Sequence, residues 1–157
     1  MIVRVLFVLA IFLTPVRAEE VPSQCFAAAS QKYGTPMEIL VAIGLVESGL
    51  NNDAINQNSN GSRDVCAMQI NSWWLPKIEE YGITEDVLRN DPCTCVAVGA
   101  WILAQGIESH GPTWGAVGVY HSPTLQHQRR YVRLVKSRLT EASTLVKSWR
   151  LIHNVNE

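Results

Sequence analysis

The sequence predicts a mainly α-helical single domain. Helix start and stop signals recur along most of the chain, and one segment, residues 36–48, is apolar on almost every side, as expected for a helix in the centre of a domain. Residues 51–63 interrupt this pattern with a polar and asparagine-rich stretch. We therefore expect one helical core with, at most, a small β-hairpin in the asparagine-rich loop.

Residues 1–18 have the pattern of a secretory signal. Arg4 precedes an apolar run over residues 5–13, and Val16-Arg17-Ala18 supplies small residues at the positions that a signal peptidase reads. The run of nine apolar residues is much shorter than the roughly 20 that cross a bilayer. We therefore expect a periplasmic protein with no stable membrane span.

The helical elements follow in order. Ser23 is expected to cap a first helix over 24–32, and Thr35-Pro36-Met37-Glu38 combines a cap, an initial proline and a glutamate three residues after the cap. The helix that starts there ends at Gly49. Later helices are expected at 73–80, after Thr84, at 92–107, at 113–119 and at 125–139, with residues 140–157 as a weakly structured basic tail.

Charge is distributed unevenly along the chain. Residues 19–128 carry a net charge of minus eight, whereas residues 129–157 carry plus five. A solvated basic helix face is the more common explanation, and contact with an acidic surface is the alternative: membrane headgroups, wall polymer or a partner protein. No nucleic-acid partner is expected, because the basic residues are confined to one end and no known motif frames them.

Four cysteines follow the signal: Cys25, Cys66, Cys93 and Cys95. An even number in an exported protein indicates disulfides. A zinc site is not expected, because Cys-x-Cys and scattered histidines do not match zinc-ligand spacing. Positions 93 and 95 are too close in sequence to bridge each other, which leaves two pairings open.

Glu47 is the candidate catalytic residue. Ile39, Ile43 and Glu47 are spaced four apart and share one helix face, so an apolar stripe ends in a carboxyl group. Desolvation at the border of a core raises the pKa of a carboxyl group and keeps it protonated near neutral pH, which is what a general acid for glycosidic cleavage requires. The alternative is a glutamate that faces water at a helix end.

Four ordered motifs carry a family resemblance: Glu47-Ser48-Gly49, the loop 58–62, Met68-Gln69-Ile70-Asn71 and Val117-Gly118-Val119-Tyr120-His121. Together they resemble motifs of the soluble lytic transglycosylases, over residues 25–131, and look most like the small members attached to conjugation and type III secretion machines. The resemblance implies a lysozyme-like (goose-type) catalytic domain over residues 19–139, a monomer that requires no metal or organic cofactor.

The resemblance also implies an activity. Glu47 would protonate the bond between N-acetylmuramic acid and N-acetylglucosamine in peptidoglycan and then take the proton of the C6 hydroxyl, which closes onto C1 as a 1,6-anhydro product. Ser48 would hydrogen-bond near Glu47, and Tyr120 would hold the Glu47 carboxyl group. The implied substrate-binding residues are Ser48, Met68, Gln69, Asn71 and Tyr120, of which Met68 and Gln69 would line the glycan groove.

The chain departs from the family pattern at three positions. Cys66 and Ala67 stand where Gly and Leu are usual, His121 stands where Asn is frequent, and Cys95 stands where the secretion subgroup often has Asn. The resemblance suggests a Cys25–Cys93 disulfide, which leaves Cys66 and Cys95 as a second pair. That pair would pin the substrate loop to the helix that follows Asp91.

Asp64 is a possible second carboxylate. In a lysozyme-type hydrolase it would stabilise the sugar cation or act as the nucleophile. The simpler interpretation, which we favour, is an aspartate that anchors the loop through backbone donors. The alternatives to a transglycosylase are accordingly a hydrolytic muramidase on the same fold and a non-catalytic wall-binding assembly factor, and proteins of a secretion or conjugation apparatus are possible partners beside the glycan strands.

Overall fold

A computed structural model describes residues 21–154, and the signal segment expected at 1–18 lies outside them. The described chain is mainly helical, with one small antiparallel sheet, as the sequence predicts. Single turns of 3-10 helix, Ser72–Trp74 and Glu79–Tyr81, flank α3. The elements are α1 (Ser23–Tyr33), α2 (Met37–Glu47), β1 (Ile55–Gln57), β2 (Arg63–Val65), β3 (Ile70–Asn71), α3 (Leu75–Ile78), α4 (Glu85–Asn90), α5 (Pro92–His110), α6 (Trp114–His121) and α7 (Leu125–Asn154).

Helix α2 forms the centre of the core. Its residues 40–43 are fully buried, which confirms that a segment apolar on all sides belongs inside the domain. It packs most extensively against α7, and α1 and α5 also contact it. The helix therefore places Glu47, its last residue, at the edge of the buried core.

Two predicted helix starts are displaced by one residue. Pro22 and Pro36 precede α1 and α2 in extended conformations, with ψ of 138° and 127°, so Ser23 lies inside its helix and Pro36 lies outside. Neither helix has a side-chain cap, and Thr35, expected as a cap, is buried instead. Proline fixes φ but not ψ, which is why the proline position alone did not define the first residue.

The asparagine-rich loop forms a sheet, as the sequence suggested, but with three strands. The order is β1-β2-β3, and both pairs are antiparallel. Asp64 is the shared register position: it pairs with Asn56 on one side and Asn71 on the other. The turn between β1 and β2 includes Gly61, whose φ of 85° lies in the region that glycine adopts without a steric penalty. The sheet thereby collects asparagine side chains around one aspartate.

Both expected disulfides are present. Cys25–Cys93 joins α1 to α5, with the Cα atoms 4.6 Å apart. Cys66–Cys95 joins the loop after β2 to the same helix, with the Cα atoms 6.2 Å apart. Cys66 and Cys95 are fully buried. The second disulfide therefore attaches the sheet region to the hydrophobic core.

The prediction for the last segment was wrong. Helix α7 does not end near Leu139 but continues through Asn154, so residues 140–154 are not a weakly structured tail. Ala142 and Val146 are fully buried, and Trp149 stacks on Phe26 at 5.9 Å between ring centroids. These apolar residues hold the second half of the helix against the core. Over the described residues, no helix combines the length and the apolar character needed to cross a membrane.

Candidate active site

A groove of about 1460 Å³ runs past the end of α2. Its sheet side includes β1–β3 and the tryptophans that follow, and its helix side includes residues of α5, α6 and the first turn of α7. Residues that line it include Glu47, Asn56, Asn58, Asp64, Gln69, Asn71, Trp73, Trp74, His110, Tyr120, His121, His127 and Gln128. The groove thus brings together Glu47 and Asp64, which lie in separate segments of the sequence.

Glu47 has the properties expected of a general acid. The pKa of its carboxyl group is raised from 4.5 to about 7. Burial is the largest cause, the charge of Asp64 also raises this pKa, and the hydrogen bond from Tyr131 lowers it. Burial dominates because Glu47 ends a helix whose neighbouring turns are in the core. A carboxyl group with a pKa near 7 can both donate and accept a proton at neutral pH.

The residue that holds Glu47 is Tyr131, not Tyr120. The Tyr131 hydroxyl donates a hydrogen bond to Glu47 Oε1 at 2.5 Å, whereas the hydroxyl of Tyr120 donates to the backbone oxygen of Met68 at 2.8 Å. Burial and the charge of Glu47 raise the pKa of Tyr131 well above its usual value, so its phenol keeps the proton that it donates. Tyr131 is not among the site residues that the sequence predicts.

Ser48 and Met68 support the site from behind it. Ser48 Oγ donates to the backbone oxygen of Ala67 at 2.8 Å and accepts a bond from the Asn51 amide, so it ties the end of α2 to the loop after β2 instead of contacting Glu47. Met68 is fully buried and does not line the groove, contrary to expectation. Its side chain fills the space beside Gly99, where a Cβ atom would approach Met68 Cε to 2.8 Å.

The loop that presents Gln69 has an uncommon backbone. Cys66 and Gln69 have φ values of 63° and 48°, the left-handed region that non-glycine residues seldom adopt. This explains why glycine is usual at position 66 in the family pattern. Gln69 lines the groove, and its amide donates to the backbone oxygens of Ala54 and Cys66 at 3.2 and 3.0 Å. The Cys66–Cys95 disulfide and the Gln69 amide thus hold a loop that the backbone alone disfavours.

Asp64 is surrounded by side-chain amides. Asn71 donates to its Oδ1 at 2.7 Å, and Asn58 and Asn56 donate to its Oδ2 at 2.8 and 3.3 Å. These donors are side chains on β1, on β3 and in the turn after β1, not the backbone donors that a loop anchor would use. Asp64 and Asn71, both candidate site residues, therefore form one polar cluster on the sheet side of the groove.

Aromatic side chains provide flat surfaces along the groove. Trp73 is 73% exposed and packs edge-on against Trp74, with ring centroids 4.9 Å apart. An exposed indole beside hydroxyl-binding amides is suited to a sugar, because it packs against the apolar face of the ring. Within residues 21–154, no group of three or more His, Cys, Asp or Glu side chains could hold a metal ion. The donor groups present are those that bind a polar carbohydrate.

Comparison with known proteins agrees with this chemistry. Residues 24–142 match the model of the transglycosylase SLT domain. The invasion protein IagB of Salmonella typhi is 34% identical over 142 residues, which cover 86% of this chain and 89% of IagB. Protein IpgF of Shigella flexneri is 35% identical over 108 residues, 69% of this chain and 71% of IpgF. A peptidoglycan-binding-like protein of Escherichia coli O157:H7 is 28% identical over 139 residues, covering 83% and 82%.

The family match spans most of the chain, and the mainly helical, lysozyme-like fold with a groove beside Glu47 fits it. The chain therefore belongs to the transglycosylase SLT-domain family of lytic transglycosylases.

Proposed function

We propose that this protein cleaves the β-1,4 bond between N-acetylmuramic acid and N-acetylglucosamine in peptidoglycan without consuming water, and that Glu47 is its catalytic acid and base. The observation that carries the proposal is the Glu47 carboxyl group, which lines the groove with a pKa of about 7. Tyr131 holds one of its oxygens, so the other oxygen is available to the substrate.

The proposed reaction has two proton transfers. Protonated Glu47 donates to the glycosidic oxygen while the bond from that oxygen to C1 of N-acetylmuramic acid breaks. The C6 hydroxyl of the same sugar then attacks C1, and the Glu47 carboxylate takes its proton, so the glutamic acid is regenerated and a 1,6-anhydro ring forms. The hydrogen bond from Tyr131 stabilises the carboxylate between the two transfers.

Asp64 supports a second candidate, a hydrolytic muramidase on the same fold. Its carboxyl group lines the same groove, and its charge is close enough to raise the pKa of Glu47. In that mechanism Asp64 stabilises the sugar cation or acts as the nucleophile, and water completes the reaction. A non-catalytic wall-binding protein is the weaker alternative, because such a protein has no need for a desolvated Glu47 held by a buried tyrosine.

Mass spectrometry of the products released from purified sacculi tests the proposal, with Glu47→Gln as the matched variant. Fragments that end in anhydro-muramic acid, absent with Glu47→Gln, are the expected result. Reducing ends, one water heavier, would identify a hydrolase and move the second role to Asp64. Sacculus binding by both proteins without any released fragment would favour the wall-binding alternative.

We further propose a periplasmic role: opening the wall locally for a secretion or conjugation apparatus. The similarity to an invasion protein of Salmonella typhi supports this role. Arg129, Arg133 and Lys136 recur along the exposed face of α7, and none has an acidic partner among the described residues. This face is the proposed contact with the apparatus.

Truncation of the C-terminal segment cannot test that contact, because it removes Tyr131 and part of the core. Charge reversal at Arg133 and Lys136 keeps Tyr131 and the buried residues of α7 in place. We expect the reversed protein to digest sacculi normally and to lose cross-linking to components of the apparatus. Unchanged cross-linking would exclude this face as the contact.

A further inference from the structure

His121 lies against the tyrosine that holds the catalytic glutamate. The imidazole of His121 stacks on the ring of Tyr131, with centroids 4.6 Å apart and planes within 4° of parallel. Tyr131 is 2% exposed and does not line the groove, whereas His121 does. The imidazole therefore covers the phenol ring at the groove.

The hydrogen bond to Glu47 depends on how the phenol ring is held. A side chain that donates from the end of a six-membered ring moves its hydroxyl whenever the ring tilts, and hydrogen bonds weaken steeply with misalignment. Tyr120 also packs on Tyr131, but at 6.4 Å between centroids, and its own hydroxyl is engaged by Met68. Of the two rings, His121 makes the closer contact.

His121 acts here as a flat, neutral ring. Partial burial lowers its pKa below the usual value, and His127 and Arg130 on α7 lower it further, while Asp64 on β2 acts in the opposite direction. At neutral pH the imidazole is therefore uncharged. A ring of another kind but similar shape should replace it.

We propose that His121 is a positioning residue: its ring fixes Tyr131 in the orientation that donates to Glu47 and keeps groove water away from that hydrogen bond. The inference rests on the proposed function, in which Glu47 is the catalytic acid. It assigns a role to a position where the family pattern often has asparagine, a side chain that lacks an aromatic face. His121 acts through Tyr131 and need not touch the reacting atoms.

The carboxyl pKa of Glu47 reports on this arrangement without turnover. It can be followed by NMR titration of protein carrying ¹³C-labelled glutamate, with the signal assigned by its absence from Glu47→Gln. The titration is done for wild type, His121→Ala, Tyr131→Phe and the double variant. Because the hydrogen bond from Tyr131 lowers this pKa, its loss in Tyr131→Phe should raise it above about 7.

The double variant isolates the part of the effect that passes through Tyr131. Removal of the imidazole also admits water to Glu47, and this hydration by itself lowers the pKa of Glu47. In the Tyr131→Phe background there is no hydrogen bond to lose, so His121→Ala measures the hydration effect alone. In the wild-type background His121→Ala also weakens the hydrogen bond from Tyr131, which raises the pKa of Glu47. We therefore expect the shift caused by His121→Ala to be more positive in the wild-type background than in the Tyr131→Phe background. Equal shifts in the two backgrounds would overturn the inference.

His121→Phe is the matched control, since it keeps a flat ring in place of the imidazole. It should titrate like wild type at Glu47, whereas His121→Asn should behave like His121→Ala. A Phe variant that titrates like His121→Ala would show that stacking is not the operative contact. Circular dichroism of each variant verifies that it is folded.

Kinetics separate positioning from sugar binding. We expect kcat of His121→Ala to fall about 10- to 100-fold with little change in KM, the loss typical of a misaligned catalytic group, and His121→Phe to recover most of it. A raised KM with unchanged kcat would instead make His121 a sugar contact and overturn the inference. If wild type itself shows no turnover, the proposed function fails, and the NMR titration still decides the role of His121.

Discussion

The two acidic residues of the groove share a cavity but differ in their surroundings. Glu47 ends an apolar helix of the core, and within residues 21–154 its carboxyl group accepts a hydrogen bond from the buried Tyr131. Asp64 lies in a sheet rich in asparagine and accepts from three side-chain amides. One side of the groove therefore supplies a desolvated proton donor, and the other supplies an ordered polar surface.

This difference shows how the fold assigns separate roles to similar groups. The chemistry of a carboxyl group follows its environment, so a helix that ends at the edge of the core and a sheet that collects amides produce two unlike sites from Glu and Asp. On this basis we propose that Glu47 transfers the proton and that Asp64 organises the side of the groove that receives the sugar. The predictions below test that division.

The largest expected effect separates the two carboxyl groups directly. Glu47→Gln should lower kcat by about 10³-fold or more, because it removes the only proposed acid and base. Asp64→Asn keeps the shape of the side chain and should cost less than about tenfold. Digestion of labelled sacculi by both variants measures the ratio, and equal losses would make Asp64 catalytic and favour hydrolysis.

The two disulfides should differ in what they support. Cys25–Cys93 spans 68 residues in sequence separation and Cys66–Cys95 spans 29, so replacement of either pair by serine should cost about 4 kcal/mol of unfolding free energy, measured in urea. Only Cys66→Ser/Cys95→Ser releases the loop that presents Gln69. We expect this variant to lose activity per folded molecule.

Cys25→Ser/Cys93→Ser is the control, because that disulfide joins α1 to α5 and touches neither side of the groove. Its activity per folded molecule should match wild type at low temperature. If both variants lose activity equally, the Cys66–Cys95 disulfide does not support activity by holding the loop that presents Gln69.

The desolvated state of Glu47 should appear in the pH dependence of stability. Its folded pKa of about 7 exceeds the ordinary 4.5, so the folded protein binds this proton more tightly and the resulting stabilisation is lost as pH rises through 7. Between pH 4.5 and 8, the unfolding free energy of wild type should fall by about 2–3 kcal/mol relative to Glu47→Gln. Urea unfolding of both proteins over this range measures the difference.

Activity should follow the same group. Above pH 7 the acid form of Glu47 is depleted, so kcat/KM should fall about tenfold per pH unit.

For the stability experiment, a parallel pH dependence of the unfolding free energy in wild type and Glu47→Gln would show that Glu47 titrates normally. That result would remove the distinction between the two sides of the groove.

A further expected effect concerns substrate affinity at the tryptophan on the sheet side. Trp73→Ala removes an exposed indole that lines the groove, and KM for glycan strands should rise about tenfold with kcat little changed. Tyr81→Ala is the matched control, because Tyr81 is 75% exposed and lies outside the groove. An equal change in KM for both variants would mean that Trp73 makes no specific contact.

Local patterns were enough to predict much of this molecule. The apolar surroundings of Glu47 follow from four-residue spacing within one helix, and the hairpin follows from a polar, asparagine-rich segment. The cysteine pairing required the family resemblance, since spacing alone left two possibilities. In each case the signal lies within a short stretch of residues or in a known motif.

Long-range contacts were the part that could not be predicted. Tyr131 lies 84 positions from Glu47, and no local pattern distinguishes it from the other apolar residues of α7. Tyr120, the residue expected to hold Glu47, is instead engaged by a backbone oxygen. The true extent of α7 did have a signal, because Val135, Ala142, Val146 and Trp149 recur at helical spacing, but the many polar residues between them obscured it.

The position of Tyr131 has a consequence for the order in which the protein becomes active. A ribosome makes Glu47 and the whole sheet before it reaches the helix that supplies the glutamate's hydrogen-bond donor and closes the core over α2. A growing chain, or a product that stops before residue 131, contains the acid but not the environment that tunes it. Synthesis from the N-terminus thus delays assembly of the proposed catalytic site until the last helix has folded.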